Sequence, residues 1–480
     1  MTERKTYTPD TDELAAQAGA IEWMRRKNAG LAVKPKAHIK TYGCQMNVHD
    51  SETLLGLLTA MGYGETAEET DADLVIYNTC CVRENAENKV YGNLGFLKHI
   101  KKDKPHLKIA LCGCMMQQDT VVANIQKQYA HVDIIFGTFN LHRFPQLLQA
   151  SWETGGQIAD IWEDCREIVD DLPAKRESPV KASVNIMYGC NNFCTYCIVP
   201  YVRGRERSRA PENIFTEIRA LAAEGVKEVL LLGQNVNSYG QGLAAQFTFP
   251  SLLRQINAIE GIERIRFMTS HPKDFSDELI AALRDCPKVC KHVHLPLQSG
   301  STAVLSAMNR GYTKEDYLRL VEKARQAVPG LALTTDIIVG FPGETEADND
   351  ATIEVVQKAQ FANAYTFLYS KRTGTAAALM ENQVDENTAK ARFQKLLAAL
   401  EPVCLAQSTA KIGTLQTVLA EQVNSQNPAL LTGRTDDNML VHFPGTTEQL
   451  GQMLPVRITG AKTYYLTGAV EAAAGTETGV

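Results

Sequence analysis

The strongest chemical signal in the chain is Gly189-Cys190-Asn191-Asn192-Phe193-Cys194-Thr195-Tyr196-Cys197. Three thiolates spaced CxxxCxxC can ligate three irons of a cubane [4Fe–4S] cluster, which normally takes four cysteines. The missing fourth ligand leaves one iron open to bind a substrate directly. Zinc is the structural alternative, but a closed zinc site wants four protein ligands and none is evident nearby. A thioredoxin-like reading of Cys194 and Cys197 needs a different fold context. A second constellation is Cys44, Cys80 and Cys114, separated by 36 and 34 residues, each interval about one strand–helix repeat. Strand ends in a parallel sheet lie side by side at roughly 4.8 Å spacing, so three cysteines placed where strands stop can converge on one cluster. Gly43 and Gly113 let the backbone come close to a bulky inorganic core. Cys81 and Cys112 compete on spacing alone: successive side chains on a strand face opposite ways, so Cys80 and Cys81 cannot both point inward. Cys286 and Cys290 lack a close third ligand and read as core packing, with Cys165 and Cys404 left over.

Cations form two groups. Arg203, Arg205, Arg207 and Arg209 crowd a glycine-containing loop just after the cysteine motif, and guanidinium forks suit phosphate oxygens. Lys98, Lys101, Lys102, Lys104 and Lys108 gather at a helix end, where a solvated face with favourable C-terminal charges explains them as well as RNA does. No P-loop, GxGxxG, HExxH or deaminase signature is present, so nucleotide or zinc hydrolysis is unsupported.

The elements that must position these groups follow from periodicity. At 480 residues the chain suggests about three domains. Residues 1–35 read as a polar N-terminal extension with a helix near Glu13 to Arg26. From residue 36 to 152, AHIKTYG, DLVIYNTCC, LKIALCGC and VDIIFGTFN alternate with helical stretches, the pattern of a parallel α/β sheet. A charged linker is expected over 153–180. Six further strands over 181–404 (ASVNIMYG, KEVLLLGQN, RIRFMTSH, KHVHLPLQSG, LALTTDIIVGFPG and NAYTFLYS) are too few for an eight-fold barrel. They predict an open (β/α)6 partial barrel with its site at the C-terminal strand ends. Residues 405–471 predict a small antiparallel β-barrel of five strands, and 472–480 a disordered tail. The fold class is therefore α/β with a small β-barrel appended.

With the cysteine loop behind a βα barrel, the chain resembles the radical S-adenosylmethionine superfamily. The resemblance implies that the open iron chelates S-adenosylmethionine and that an electron from the cluster cleaves it to a 5′-deoxyadenosyl radical. It also places Tyr196, Gln234, Asn235, Ser270, Gln298, Asp336 and Glu344 at the cofactor. Otherwise these polar residues simply cap strand ends. TYGCQMN, NTC followed by VRENAENK, and the GC after the third strand resemble the N-terminal domain of methylthiotransferases. In that family, cysteines at the positions of Cys44, Cys80 and Cys114 hold an auxiliary [4Fe–4S] cluster, and Cys81 and Cys112 are then non-ligands. The last domain is similar to TRAM modules, which bind RNA. From Leu405 onward, however, four Lys and Arg face six Asp and Glu, so binding would rest on Tyr464, Tyr465 and few cations.

PYVRGRERSR, LLGQNVNSYG, HLPLQSGS with MNRGYT, and FLYSKRTGT resemble the branch that methylthiolates carbon 2 of an isopentenylated adenosine beside the tRNA anticodon. Other branches act on threonylcarbamoyl-adenosine or on an aspartate of a ribosomal protein, and cysteines alone do not separate them. An iron–sulfur RNA binder or redox sensor without turnover is the non-enzymatic alternative. The implied cofactors are two [4Fe–4S] clusters and S-adenosylmethionine. The expected partners are a tRNA anticodon stem-loop, a reducing electron-donor protein, and an iron–sulfur or sulfur-donor protein, with the chain a monomer. Composition sets outer bounds: 44% hydrophobic and 22% charged residues exclude a wholly disordered chain. A net charge of −6 confines nucleic-acid binding to local patches. The absence of a signal-peptide pattern and of an apolar spanning run gives the expectation of a cytoplasmic, non-membrane protein, where twelve cysteines serve metal or redox chemistry rather than disulfides.

Overall fold

The computed structural model describes residues 6–8, 11–81, 84–165, 167–170, 172–243 and 247–471. The expected disordered tail at 472–480 lies outside them. The chain forms two units, residues 1–177 with 187–191 and 198–209, and residues 178–186 with 192–197 and 210–480.

In the first unit six strands run parallel: β1 (Lys36–Thr41), β2 (Gly64–Glu65), β3 (Leu74–Thr79), β4 (Lys108–Gly113), β5 (Ile134–Phe136) and β6 (Ile158–Asp160). Their order across the sheet is β2-β1-β3-β4-β5-β6. Parallel neighbours require crossovers, supplied by helices such as Gln45–Ala60, Glu84–Asp103 and Asp119–Gln128. Strands β3 and β4 are buried along their whole length, which is why LVIYNT and KIALCG read as nearly continuous apolar runs. Val75, Tyr77, Ile109 and Leu111 pack with Val90, Leu94 and Leu97 on one face. Leu74, Ile76 and Ala110 pack with Leu54, Leu57, Leu58 and Phe144 on the other.

Two sequence expectations change here. The N-terminal segment is not a polar extension: helix Thr11–Ala29 inserts Met24 into the second face of the core. Gln17 donates to the His142 carbonyl at 2.8 Å and Asn28 to the Met61 carbonyl at 2.9 Å. Ile21 and Trp23 pack against the same cluster beside Met24, and Ala20 is buried, so the inward-facing apolar residues are confined to one short stretch of the helix. Strand β6 lies inside the stretch read as linker, because three edge residues are too few to show a period.

In the second unit β7 (Lys181–Asn185), β8 (Glu228–Leu232) and β9 (Arg264–Phe267) form one parallel run. Strands β10 (His292–His294), β11 (Ala332–Val339) and β12 (Asn363–Leu368) form another. An isolated parallel bridge between Ile265 and Val289 links the runs. This is the expected open six-stranded partial barrel. Strand β10 is shorter than the apolar run suggested, since Pro296 has no N–H for the ladder.

The C-terminal barrel closes through β13 (Leu415–Val423), β14 (Leu430–Thr435), β15 (Leu440–Pro444), β16 (Met453–Ala461) and β17 (Tyr465–Val470) in the order β13-β14-β15-β17-β16. It is not wholly antiparallel: β15 and β17 pair in parallel. A closed ring of five strands cannot alternate direction throughout, so one parallel seam is obligatory. Two buried arginines of β9 tie this barrel down. Arg264 donates to the carbonyls of Arg434 (2.6 Å) and Thr417 (2.7 Å), and Arg266 to those of Asp436 (2.9 Å) and Thr435 (2.7 Å). The Glu228 carboxylate, 2.9 Å from Arg266 Nε, balances the charge. Among the described residues no helix is long and apolar enough to cross a membrane.

Candidate functional site

In the first unit each of three cysteines follows the end of a strand. Cys44 sits at the N-cap of helix Gln45–Ala60. Cys80 follows β3 and Cys114 follows β4. Asn47, one turn into that helix, ties the three together. Its amide nitrogen donates to the Tyr42 carbonyl at 2.8 Å and the Thr79 carbonyl at 2.9 Å, the backbone just ahead of Gly43-Cys44 and of Cys80. Its Oδ1 lies 3.8 Å from Cys44 Sγ and 3.9 Å from Cys114 Sγ. Gly43 (φ 116°) passes so close to Cys80 that a Cβ there would stand 2.7 Å from Cys80 Cβ and 2.9 Å from its sulfur. Gly113 (φ 93°) is equally constrained, with the Thr79 carbonyl oxygen 2.4 Å from where a Cβ would be. The same positive φ breaks strand alternation after Cys112. Cys112 therefore stays in the core on one face of the sheet while Cys114 turns to the other.

Cys81 is buried beside Cys114 and hydrogen-bonds it. That contact first, with Arg203 assisting against burial, pulls the Cys114 thiol down to about 6. The same pairing and burial push the Cys81 thiol up, and burial first, then the Asp50 charge, pushes Cys112 up. Among the described residues no three His, Cys, Asp or Glu side chains stand close enough to share a single metal ion. Thiolates on separate corners of a cubane sit farther apart than ligands to one ion. The donor set, three sulfurs at glycine-thinned strand ends, suits a multi-iron core.

The arginine run proves to be mostly internal, which corrects its reading as a phosphate loop. Arg203 is buried and donates to Asp50, Asn47 and Cys114. Arg209 pairs with Asp170 at 2.5 Å in a buried contact. Arg207 stacks over Phe139 at 5.2 Å and donates to the Cys165 carbonyl. Guanidiniums committed this way offer no fork to phosphate, and Arg205 is the exposed member. Lys101 and Lys108 are similarly engaged, with Asp133 and with Ser151. Cys190 is buried, its N–H donating to the Gly204 carbonyl at 3.1 Å. Gly189 (φ 76°) admits no side chain, since a Cβ would meet the Arg205 carbonyl oxygen at 2.0 Å.

In the second unit Cys194 and Cys197 form a tight turn, Cys197 N–H to Cys194 carbonyl at 2.9 Å. Its backbone is held from outside. Thr195 donates to the Met308 and Ala307 carbonyls at 3.1 and 2.9 Å, and Asn309 donates to those of Asn192 and Phe193. Buried Arg310 donates to Cys194 Sγ at 3.4 Å and to the Pro296 carbonyl at 3.0 Å. Tyr196 packs with Val304, Met308, Phe341 and Ala377.

Gln234, Asn235, Ser270, Gln298 and Glu344 follow strand ends, while Asp336 lies inside β11. Asn235 follows β8 and donates to Asp274 at 2.7 Å, yet its Oδ1 is buried without a partner, as are Ser270 Oγ and Gln298 Oε1. His271 Nε2 is in the same condition, while its Nδ1 accepts from the Lys273 N–H at 3.3 Å. A buried orphan polar atom costs about 1–3 kcal/mol, so such a group at strand ends fits a polar ligand. Gln298 also has φ 67° and bridges into β11 through Asp336 and Ile338. Gln234 is half-buried, and the Asp336 carboxylate stands 3.4 Å from His294 Nε2. Glu344 is the exception. It is buried, with its carboxylate taken by the Gly340 N–H (3.1 Å) and Arg392 (3.3 Å), so it braces the 340–344 turn rather than facing a ligand. Sequence reasoning missed Asn47, His271 and Arg310 as site residues, although Asn47 lies three residues past Cys44, His271 precedes Pro272 and Arg310 precedes Gly311. Cys165, Cys286, Cys290 and Cys404 are buried. In the C-terminal barrel Lys411 and Arg457 pair with Asp437 and Glu471, while Lys462, Tyr464 and Tyr465 are exposed.

Three family models match the chain: Uncharacterized protein family UPF0004 over residues 36–137, the Radical SAM superfamily over 184–356 and the TRAM domain over 409–470. A tRNA-2-methylthio-N(6)-dimethylallyladenosine synthase of Acetivibrio thermocellus is 52% identical over 472 residues, 98% of each chain. The synthase of the same name from Caldicellulosiruptor saccharolyticus is 54% identical, covering 95% of this chain and 98% of its own. That of Clostridioides difficile is 50% identical over 98% and 99%. A solved radical S-adenosylmethionine methyltransferase, TsrM from Kitasatospora setae, superposes with a TM-score of 0.52 at 15% identity over 72% of this chain and 75% of its own, a likeness of fold.

Proposed function

The chain belongs to the tRNA-2-methylthio-N(6)-dimethylallyladenosine synthase family, and from that premise we propose that it attaches a methylthio group to carbon 2 of an isopentenylated adenosine beside the tRNA anticodon. It is a radical S-adenosylmethionine methylthiotransferase that modifies tRNA. Identity above one half across nearly the whole length carries this reading, because it spans all three matched domains at once. Cys190, Cys194 and Cys197 hold one [4Fe–4S] cluster and Cys44, Cys80 and Cys114 a second. When bound, the first supplies the electron that cleaves S-adenosylmethionine, and the second a place to carry the sulfur.

The chain's own residues do the positioning. Arg310 and the Thr195 and Asn309 contacts fix the Cys194–Cys197 turn before any ligand arrives, so little ordering remains to be done on binding. Asn235 Oδ1, Ser270 Oγ and Gln298 Oε1 offer hydrogen-bonding capacity to the amino-acid and ribose groups of S-adenosylmethionine. Apolar packing around Tyr196 keeps water from one flank of the loop. On the other site Asn47 holds the three strand ends in register. The target base leaves its stack to reach a buried site, at a cost of a few kcal/mol. Lys462, Tyr464 and Tyr465 supply a stacking and phosphate surface for the anticodon stem-loop. The enzyme works as a monomer in the cytoplasm, with a reducing electron-donor protein and an iron–sulfur or sulfur-donor protein.

The deciding assay uses anaerobically reconstituted enzyme, reductant and S-adenosylmethionine, with isopentenylated tRNA in one reaction and threonylcarbamoylated tRNA in another. Nucleoside mass spectrometry should show a methylthio mass gain in the first alone. A gain in the second, or in neither while 5′-deoxyadenosine forms, refutes the substrate assignment.

A further inference from the structure

A buried cation must be compensated, and that of Arg203 is compensated in an unusual way. The residue is 3% exposed. One Nη2 serves both Asp50 Oδ2 at 2.7 Å and Asn47 Oδ1 at 2.8 Å, while Nε points to Cys114 Sγ at 3.3 Å. Desolvating a guanidinium costs several kcal/mol unless its donors and its charge are both met. Asp50 meets the charge, and the edge bearing Nε is spent on a sulfur. A lysine also carries three donors, but all on one nitrogen, so it could not hold the sulfur and the carboxylate–amide pair from two separate nitrogens as this planar fork does. Asn47 links the same guanidinium to Cys44, since its Oδ1 lies 3.8 Å from that sulfur.

We infer that Arg203, steadied by Asp50 and Asn47, is a positioning residue that sets the reduction potential of the iron–sulfur group on the Cys44–Cys80–Cys114 trio. The inference rests on reading that trio as a cluster site. Hydrogen bonds to ligand sulfur and nearby net charge are the protein's principal levers on cluster potential. Reduction adds one electron to a core already made negative by three thiolates. A donor and positive charge at Cys114 therefore stabilise the reduced form and make the potential less negative. Asp50 opposes this, and the balance between the two fixes the value.

The test uses the full-length chain with Cys190, Cys194 and Cys197 replaced by alanine, reconstituted anaerobically with iron and sulfide so that only the strand-end site is read. Iron content and an EPR-monitored redox titration are measured for that parent and for R203M, R203K and D50N. R203M should shift the reduction equilibrium about tenfold towards the oxidised form, about 59 mV for a one-electron couple. R203K should fall between it and the parent, and D50N should shift the other way. Opposite signs are what general loosening cannot produce. If R203M fails to hold iron, the opposed signs of R203K and D50N decide. Unchanged midpoints, or shifts of one sign throughout, overturn the role of Arg203. A parent that binds no iron overturns the cluster reading beneath it.

Discussion

On the proposed cluster assignment, the two cysteine trios would solve one coordination problem in opposite ways. Cys190, Cys194 and Cys197 lie within eight residues, and most of what fixes Cys194 and Cys197 is backbone contact with residues 307–310. Cys44, Cys80 and Cys114 span 71 residues and meet because three parallel strands end at one edge of a sheet. They are held by a single amide side chain. Both arrangements nonetheless bring a buried guanidinium to a sulfur, Arg203 to Cys114 at 3.3 Å and Arg310 to Cys194 at 3.4 Å. A loop site is specified by local spacing and tolerates distant change. A sheet-end site depends on every strand that delivers a ligand.

The contrast is broken most sharply by the cysteines. Alanine at Cys190, Cys194 and Cys197 should reduce 5′-deoxyadenosine formation to background. Alanine at Cys44, Cys80 and Cys114 should leave it measurable by chromatography while methylthio product disappears. Loss of iron on changing Cys81 or Cys112 instead would reassign the ligands. Next in size is N47A, which deletes the bonds to the Tyr42 and Thr79 carbonyls and removes one of the three acceptors of Arg203. A stability loss of about 2–4 kcal/mol in denaturant titration, with roughly half of the bound iron gone and S-adenosylmethionine cleavage retained, is the expected result. Equal damage to both sites would erase the distinction drawn here.

Arg266→Met probes the second unit away from its cysteines. It removes two charge-assisted bonds to barrel carbonyls and leaves Glu228 buried without its nearest cation, a loss of about 2–4 kcal/mol. Faster hydrogen exchange across residues 415–470 should report it, with iron content unchanged. The smallest effect belongs to His142, buried with its ring edge-on to Trp162 at 5.3 Å. Burial and then Arg143 hold its pKa down to about 4. The unfolded chain therefore binds the proton first as pH falls below about 6.5, and stability is lost progressively towards pH 4. H142F should flatten the pH dependence of first-unit unfolding by about 2 kcal/mol between pH 7 and pH 5. An unchanged slope would place the acid-sensitive group elsewhere.

Legibility in the sequence followed the length scale of each feature. All six strands of the partial barrel were visible as apolar runs, and the five of the C-terminal barrel as four runs, the last covering both β16 and β17. Helix Thr11–Ala29 was visible as a helix but not as a layer of the core, because the apolar residues it turns inward, Ala20, Ile21, Trp23 and Met24, are confined to one short stretch. Strand β6 was too short to register. The arginine run misled for an instructive reason: charge in a sequence carries no sign of its partner, and Asp50 and Asp170 lie far along the chain from Arg203 and Arg209. Glu344 misled in the same way, its carboxylate being claimed by Arg392.

The sequence by itself determined the cysteine spacings, the α/β period and the small barrel, since these depend on neighbours within one turn or one strand. Only the tertiary structure decided which buried cation meets which sulfur, how Gly113 sends Cys112 and Cys114 to opposite faces, and which two strands of the five-stranded ring form its parallel seam. Those are outcomes of closure and desolvation, which act between residues that the chain order keeps far apart.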